Sequence, residues 1–192
     1  MRLGILGGSF DPIHHGHLIV AQVARETLGL DRVLLMVSAT QPLKVRHGAP
    51  AVHRLRMTEL AAEGIPGLEV DGREVSRGGT SYTVDTLREL HGEHPGAKLV
   101  LLLGSDAAAQ LPQWHEVEAV MQLAQVTVFD RAGVPSPEGL DRLDVPALEL
   151  SSTAVRMRAA AGLSLRGWVP ELTASGSGGT VFALEFGGPG RR

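Results

Sequence analysis

Three of the chain's eight histidines, His14, His15 and His17, stand within four residues of one another in the segment GGSFDPIHHGHL, residues 7–18. Imidazoles on a loop donate hydrogen bonds to phosphate oxygens, and donate more strongly when protonated. The glycines beside them, Gly7, Gly8 and Gly16, let backbone N–H groups approach an anion closely. A helix that starts just after them adds the positive end of its dipole. Zinc is the competing ligand, but it wants three or four ligands in fixed geometry, and the neighbours His14 and His15 cannot easily both turn inward. The cluster therefore reads as a phosphate site before a metal site, with structural or exposed histidines as the plainer alternative.

Ser151, Ser152 and Thr153 precede a helical run, and Arg156 follows one turn in. Such hydroxyls are good N-caps and no more, yet the same helix N-terminus with an arginine behind it also suits an anion. Charge is distributed to match. No acid occurs between Asp31 and Glu59, where Lys44, Arg46, Arg54 and Arg56 fall. Another acid-free window, between Glu149 and Glu171, holds Arg156, Arg158 and Arg166. With a net charge of −3, two local basic windows point to a small polyphosphate ligand and away from nucleic acid, with solvated arginine faces as the plainer alternative.

These residues need a scaffold. Arg2–Leu6, Arg32–Val37, Leu68–Asp71, Lys98–Leu103, Val126–Phe129 and Ala147–Leu150 read as strands; the first, second and fourth are almost wholly apolar, as in strands covered on both faces. Leu18–Leu28, Val52–Ala62, Val84–His91, Glu116–Leu123 and Thr153–Ala161 read as helices, with Leu18, Ala21, Ala24 and Leu28 on one face of the first. The alternation predicts a single α/β domain with a doubly wound, Rossmann-like parallel sheet, whose ligands lie beyond the carboxyl ends of the strands. Residues 9–16 then form the loop between the first strand and first helix. Loops are expected at Gln41–Pro50, Gly72–Thr80 and Ala132–Pro146, and residues 171–192 form a Gly/Ser-rich tail around one strand-like run. There is no cysteine, no run near the roughly 20 apolar residues that span a bilayer and no secretory pattern, so a cytoplasmic protein without disulfides or membrane spans is expected.

GGSFDPIHHGH resembles the H-x-G-H signature of the nucleotidyltransferase superfamily, carried by His14, Gly16 and His17, with His15 at the variable position. LSSTAVR resembles its I-S-S-T-x-x-R signature through Ser151, Ser152, Thr153 and Arg156. SYTVDTL (81–87), GSDAAAQLPQWHE (104–116) and DRAG (130–133) are similar to segments of bacterial nicotinate-mononucleotide adenylyltransferases, and Glu74 and Arg77 fall where that family has Glu and Arg. The resemblance covers Met1 to about Pro170. It implies adenylyl transfer from ATP to nicotinate mononucleotide, with Mg²⁺ carried by the ATP phosphates and no dedicated metal cage. His14, His17 and Arg156 would be catalytic. Gly7, Gly8, Ser9, Phe10, Gly16, Lys44, Gly104, Asp106, Arg131, Ser152 and Thr153 would bind ATP. Trp114 would stack on the pyridine ring, while Thr83 and backbone N–H groups near Trp114 and His115 would receive the nicotinate carboxylate; without the resemblance, Trp114 reads as a packing anchor and Thr83 as a helix cap.

The chain departs from that family in two places. TQPLK stands where the family has P-P-H-K, so Gln41 and Leu43 replace Pro and His, and residues 171–192 replace a closing helix. Two alternatives remain beside the main reading: transfer to another phosphate-bearing acceptor, and a catalytically silent nucleotide-binding module. Oligomeric state is not legible.

Overall fold

The computed structural model describes residues 1–42, 48–130, 134–146 and 149–170. Strands β1 (Arg2–Gly8), β2 (Arg32–Val37), β3 (Leu68–Asp71), β4 (Lys98–Gly104), β5 (Ala124–Phe129) and β6 (Asp141–Leu143) form one sheet in the order β3-β2-β1-β4-β5-β6. Every neighbouring pair is parallel. Helices α1 (His15–Thr27), α2 (Ala51–Ala62), α3 (Arg73–Arg77), α4 (Thr83–Glu93), α5 (Ser105–Ala108), α6 (Val117–Leu123) and α7 (Ser152–Ala160) connect or follow them, with a short 3₁₀ turn at Leu111–Gln113. This is the expected doubly wound fold.

The apolar strands divide their side chains between two cores. Leu6, Val33, Leu35, Val37, Val100 and Leu102 pack on one face with α1, α2 and Ala159 of α7. Leu3, Ile5, Leu34, Met36, Leu99, Leu101 and Leu103 pack on the other with α4 and with Val120 of α6. Burial on both faces is why these strands read as continuous apolar runs rather than alternating ones. Gly4 answers to the same packing, since a Cβ there would lie 2.7 Å from Leu30 Cδ1. Chain order reverses between β1 and β4, and ligands of such sheets sit outside that point.

Most elements fall where expected, within two residues or so at their ends. The sixth strand does not. Glu149 and Leu150 are not in a strand, Ala147 and Leu148 lie outside the described residues, and β6 forms inside the expected loop 132–146. Of its residues only Leu143 is buried, while Gln125 donates to Asp141 Oδ2 at 2.8 Å, so a short polar edge strand leaves no apolar pattern to read. Helix α3 lies inside the expected loop 72–80; five residues are too few to show a helical period. Asp71 starts it by accepting the Arg73 N–H at 2.9 Å.

Candidate active site

The loop after β1 runs through Ser9, Phe10, Asp11, Pro12 and Ile13, all buried, to His14, the N-cap of α1. Helix α1 thus begins at His15, earlier than expected, which puts Gly16 and His17 in its first turn. Gly7 is exposed at the carboxyl end of β1, and a Cβ there would meet nothing within 4 Å, leaving open surface over the strand end. Gly8 instead supports Phe10, whose ring would lie 3.2 Å from an added Cβ. The Phe10 ring, at φ 45°, meets His17 edge-on with centroids 5.0 Å apart.

His14 and His17 stack, with ring centroids 3.7 Å apart and planes 23° from parallel. The His14 N–H donates to His17 Nδ1 at 3.2 Å. A ring that accepts at Nδ1 carries its proton on Nε2, so His17 presents a donor on its far side. His14 is buried and His17 half-buried; His15, at the variable position, gives its backbone N–H to Trp168 O at 3.2 Å.

The second motif docks directly on this loop. Ser152 Oγ donates to Pro12 O at 2.9 Å, and Arg156 Nη1 donates to Asp11 O at 2.5 Å. Arg156 Nη2 also donates to Thr153 Oγ1 at 3.2 Å. Ser151 is the N-cap of α7, its Oγ accepting the Ala154 N–H at 3.2 Å. The hydroxyls expected to face an anion are therefore partly engaged in joining the two motifs. Gly104, at the end of β4, and exposed Asp106, in the first turn of α5, lie across the switch point from Gly7 and Gly8. Lys44 and Arg131 lie outside the described residues, as does Leu43.

The basic windows resolve differently from the sequence expectation. Arg54 is 1% exposed and takes no part in the surface: it donates to the carbonyls of Ser9 (2.6 Å), Ala39 (2.8 Å) and Ala49 (3.1 Å). Burial pushes its pKa below the usual guanidinium range, and nearby Asp11 opposes that shift. Arg56 pairs with Glu59 at 3.0 Å, and Arg158 lies over the Trp168 ring while donating to Ser164 O. Local charge on a sequence does not say which way a side chain points; Arg54 and Arg156 both reach the loop, and of the two only Arg156 is partly exposed.

Sequence reasoning gave Asp11 no role of its own. Its carboxylate accepts the N–H groups of Gly48 (2.6 Å) and Ala49 (3.1 Å) and stands 3.9 Å from Arg156 Nη1. Its position in F-D-P, before a proline that fixes the backbone, is the only sequence signal.

A further pair of segments meets on the other side of β4. Thr83 is the first residue of α4, after the N-cap Tyr82. The Tyr82 and His115 rings are 4.6 Å apart, and Arg88 makes a two-pronged pair with Glu116 at 3.0 and 2.6 Å. Trp114 is half-buried against the core beneath α4, and its backbone N–H donates to Leu111 O at 3.0 Å. A cavity of about 600 Å³, lined in part by Ala39, Thr40, Pro50, Arg54 and Val75, opens beside the end of β2. Among the described residues no group of three or more His, Asp or Glu side chains could hold a metal ion.

Stacked imidazoles, an arginine and two helix N-termini around the switch point of a parallel sheet make a site for transfer at a polyphosphate. Residues 5–158 match the cytidylyltransferase-like family. A "Probable nicotinate-nucleotide adenylyltransferase" of Gemmatimonas aurantiaca is 40% identical, covering 97% of this chain and 94% of that protein. One of the same name from Thermus thermophilus is 44% identical, covering 88% and 92%. The chain belongs to the cytidylyltransferase-like family and, within it, to the nicotinate-nucleotide adenylyltransferases. The fold is also that of the Plasmodium falciparum nicotinic acid mononucleotide adenylyltransferase complexed with NaAD, with a TM-score of 0.73 at 19% identity over 90% of this chain and 92% of that one.

Proposed function

We propose that this protein transfers the adenylyl group of ATP to nicotinate mononucleotide, forming deamido-NAD and pyrophosphate. One observation carries the reading: α7 docks its Ser152 and Arg156 onto the His14–His17 loop at the switch point, in a chain whose curated relatives bear that name. A phosphate oxygen of the mononucleotide attacks the α-phosphorus of ATP in line. The new P–O bond forms as the bond from the α-phosphorus to the bridging oxygen breaks, and pyrophosphate leaves with the electron pair. The attacking phosphate is already ionised near neutral pH, so no general base is required. Catalysis then rests on positioning and charge stabilisation.

His17 Nε2–H and His14 would meet charge developing on the phosphoryl oxygens, and Arg156 the leaving group. The open backbone at Gly7, the neighbouring Gly8 and the N-termini of α1 and α7 would cradle phosphates; Lys44 and Arg131 are assigned there by family resemblance alone. Asp106 would hold the ATP ribose. Trp114 would stack on the pyridine, with Thr83 and the His115 N–H receiving its carboxylate. Mg²⁺ bound to the ATP phosphates would neutralise part of their charge.

We also assign the transferase domain to residues 1–170, the remaining tail being dispensable for the chemistry, and place the protein in the cytoplasm. No described helix is long and apolar enough to cross a membrane.

The test is pyrophosphate release with ATP and Mg²⁺, comparing nicotinate mononucleotide, nicotinamide mononucleotide and phosphopantetheine as acceptors. Fastest release with the nicotinate compound supports the reading. Release only with another acceptor discards the substrate, and ATP binding without release discards the activity.

A further inference from the structure

We infer that Glu74 is a positioning residue for the acceptor half of the site, acting through the hydroxyls of Ser81 and Thr86 on the turn that carries Tyr82 and Thr83. The inference rests on the proposed acceptor and adds a residue to which no chemical role has been given above.

Glu74 sits in α3 and is 7% exposed. Thr86 Oγ1 donates to its Oε1 at 2.7 Å, and the Ser81 hydroxyl faces the same carboxylate, opposing the rise in its pKa that burial causes. Ser81 and Thr86 bracket Tyr82 and Thr83, so one carboxylate grips both ends of the entry into α4. Arg77, one turn along α3, joins the same cluster: its Nη2 lies 3.3 Å from Thr86 Oγ1 and 2.9 Å from Glu89 Oε2, and its charge opposes the rise in the Glu74 pKa.

The grip extends across the sheet edge. Ser81 Oγ accepts the Ala39 N–H at 3.0 Å, and the Ser81 N–H donates to Thr40 O at 2.9 Å. On its other side Ala39 gives its carbonyl to Arg54 Nη2, while Arg54 Nη1 holds Ser9 O in the phosphate loop. A hydrogen-bonded chain thus runs from Ser9, through Arg54 and Ala39, to Ser81, whose hydroxyl faces Glu74. It sets the spacing between the loop that takes phosphates and the turn that bears Thr83.

Burying a carboxylate is costly, and a neutral or apolar side chain of similar size would fill the space without that cost. What the charge adds is short, directional bonds to two hydroxyls, which fix the turn more tightly than neutral acceptors do. A role confined to stability would not discriminate between the two substrates. A role in placing Thr83 would.

Steady-state kinetics on the full chain and on Glu74→Ala, Glu74→Gln and Ser81→Ala variants provide the test. Glu74→Ala is expected to raise KM for nicotinate mononucleotide roughly tenfold, with KM for ATP and kcat each within about twofold. Glu74→Gln, which keeps one acceptor oxygen, should raise it less. Ser81→Ala should raise the same KM, and combining it with Glu74→Gln should add little, because both cut one chain. Parallel rises in both KM values, or an unchanged KM for the mononucleotide, overturn the inference. Should Glu74→Ala fail to fold, Glu74→Gln and Ser81→Ala decide alone. A wild-type protein that does not turn over nicotinate mononucleotide removes the proposed acceptor and this inference with it; active wild type with unshifted variants removes only the inference.

Discussion

The rings of His14 and His17 lie face to face, 3.7 Å between centroids, with the backbone N–H of the first on Nδ1 of the second. Two side chains three residues apart on a helix start share one orientation, so the loss of either disturbs the other. Each of His14→Ala and His17→Ala is expected to lower kcat by roughly 10²–10³, as removal of one transition-state donor does. The double variant should fall short of the product of the two, because they act as a unit. Rates of pyrophosphate release under saturating substrates check this; fully multiplicative losses would show two independent groups.

Gly16→Ala isolates orientation from chemistry. The added Cβ would lie 3.0 Å from His14 Nδ1 and 3.1 Å from Cε1, so the imidazole must move by a few tenths of an ångström. Alanine inside α1 is otherwise favourable by up to about 1 kcal/mol. Thermal unfolding should therefore change little while kcat drops about tenfold, since small misplacements of a catalytic group are expensive. Unchanged kcat would mean the ring has room to yield.

Arg54 is a stability residue by its contacts. Arg54→Met would leave the carbonyls of Ser9, Ala39 and Ala49 without this donor, at a cost of about 3–5 kcal/mol. In a chain of this size that corresponds to a fall in Tm on the order of 10 °C. Arg54→Lys should recover part of it. A Tm within about 2 °C of wild type would contradict the assignment.

Glu74 gives the protein a pH dependence with a definite sign. Burial raises its carboxyl pKa above the ordinary 4.5, with Thr86, Ser81 and Arg77 pulling it back and Asp71 adding to the rise. The folded state therefore holds this proton at pH values where the unfolded chain has lost it. Stability from that proton is complete below the unfolded value and is lost as pH rises through the folded one. Relative to wild type, Glu74→Gln should gain stability as pH rises from about 4 to 8, read from urea midpoints. A difference that stays constant across that range refutes the shift.

The sheet was legible because its central strands are buried on both faces and so are apolar without interruption, as at Val33–Val37 and Leu99–Leu103. β6 and α3 were not: Asp141–Leu143 and Arg73–Arg77 are short and polar, held by partners distant in sequence or by a single capping carboxylate. At the candidate site, His14, Gly16, His17 and Arg156 stood out in the sequence because their types and spacing suit phosphate chemistry, and the fold brings them together. Arg54 was read only as part of a basic window, ligand-facing or solvated, and is neither, since sequence carries its charge but not its direction. Asp11 was passed over, because a carboxylate that accepts backbone N–H groups looks in sequence like any other loop acid. Ser152, read as a phosphate ligand, also gives its hydroxyl to Pro12, a tie between motifs that the sequence does not show.

The clasp between α7 and the first loop joins residues separated by 140 and 145 positions. During synthesis both histidines leave the ribosome early, on a loop whose last support has not yet been made. The supports that Ser152 and Arg156 give to that loop exist only once α7 has been made and has docked, so a chain cut short before it carries both histidines without this clasp.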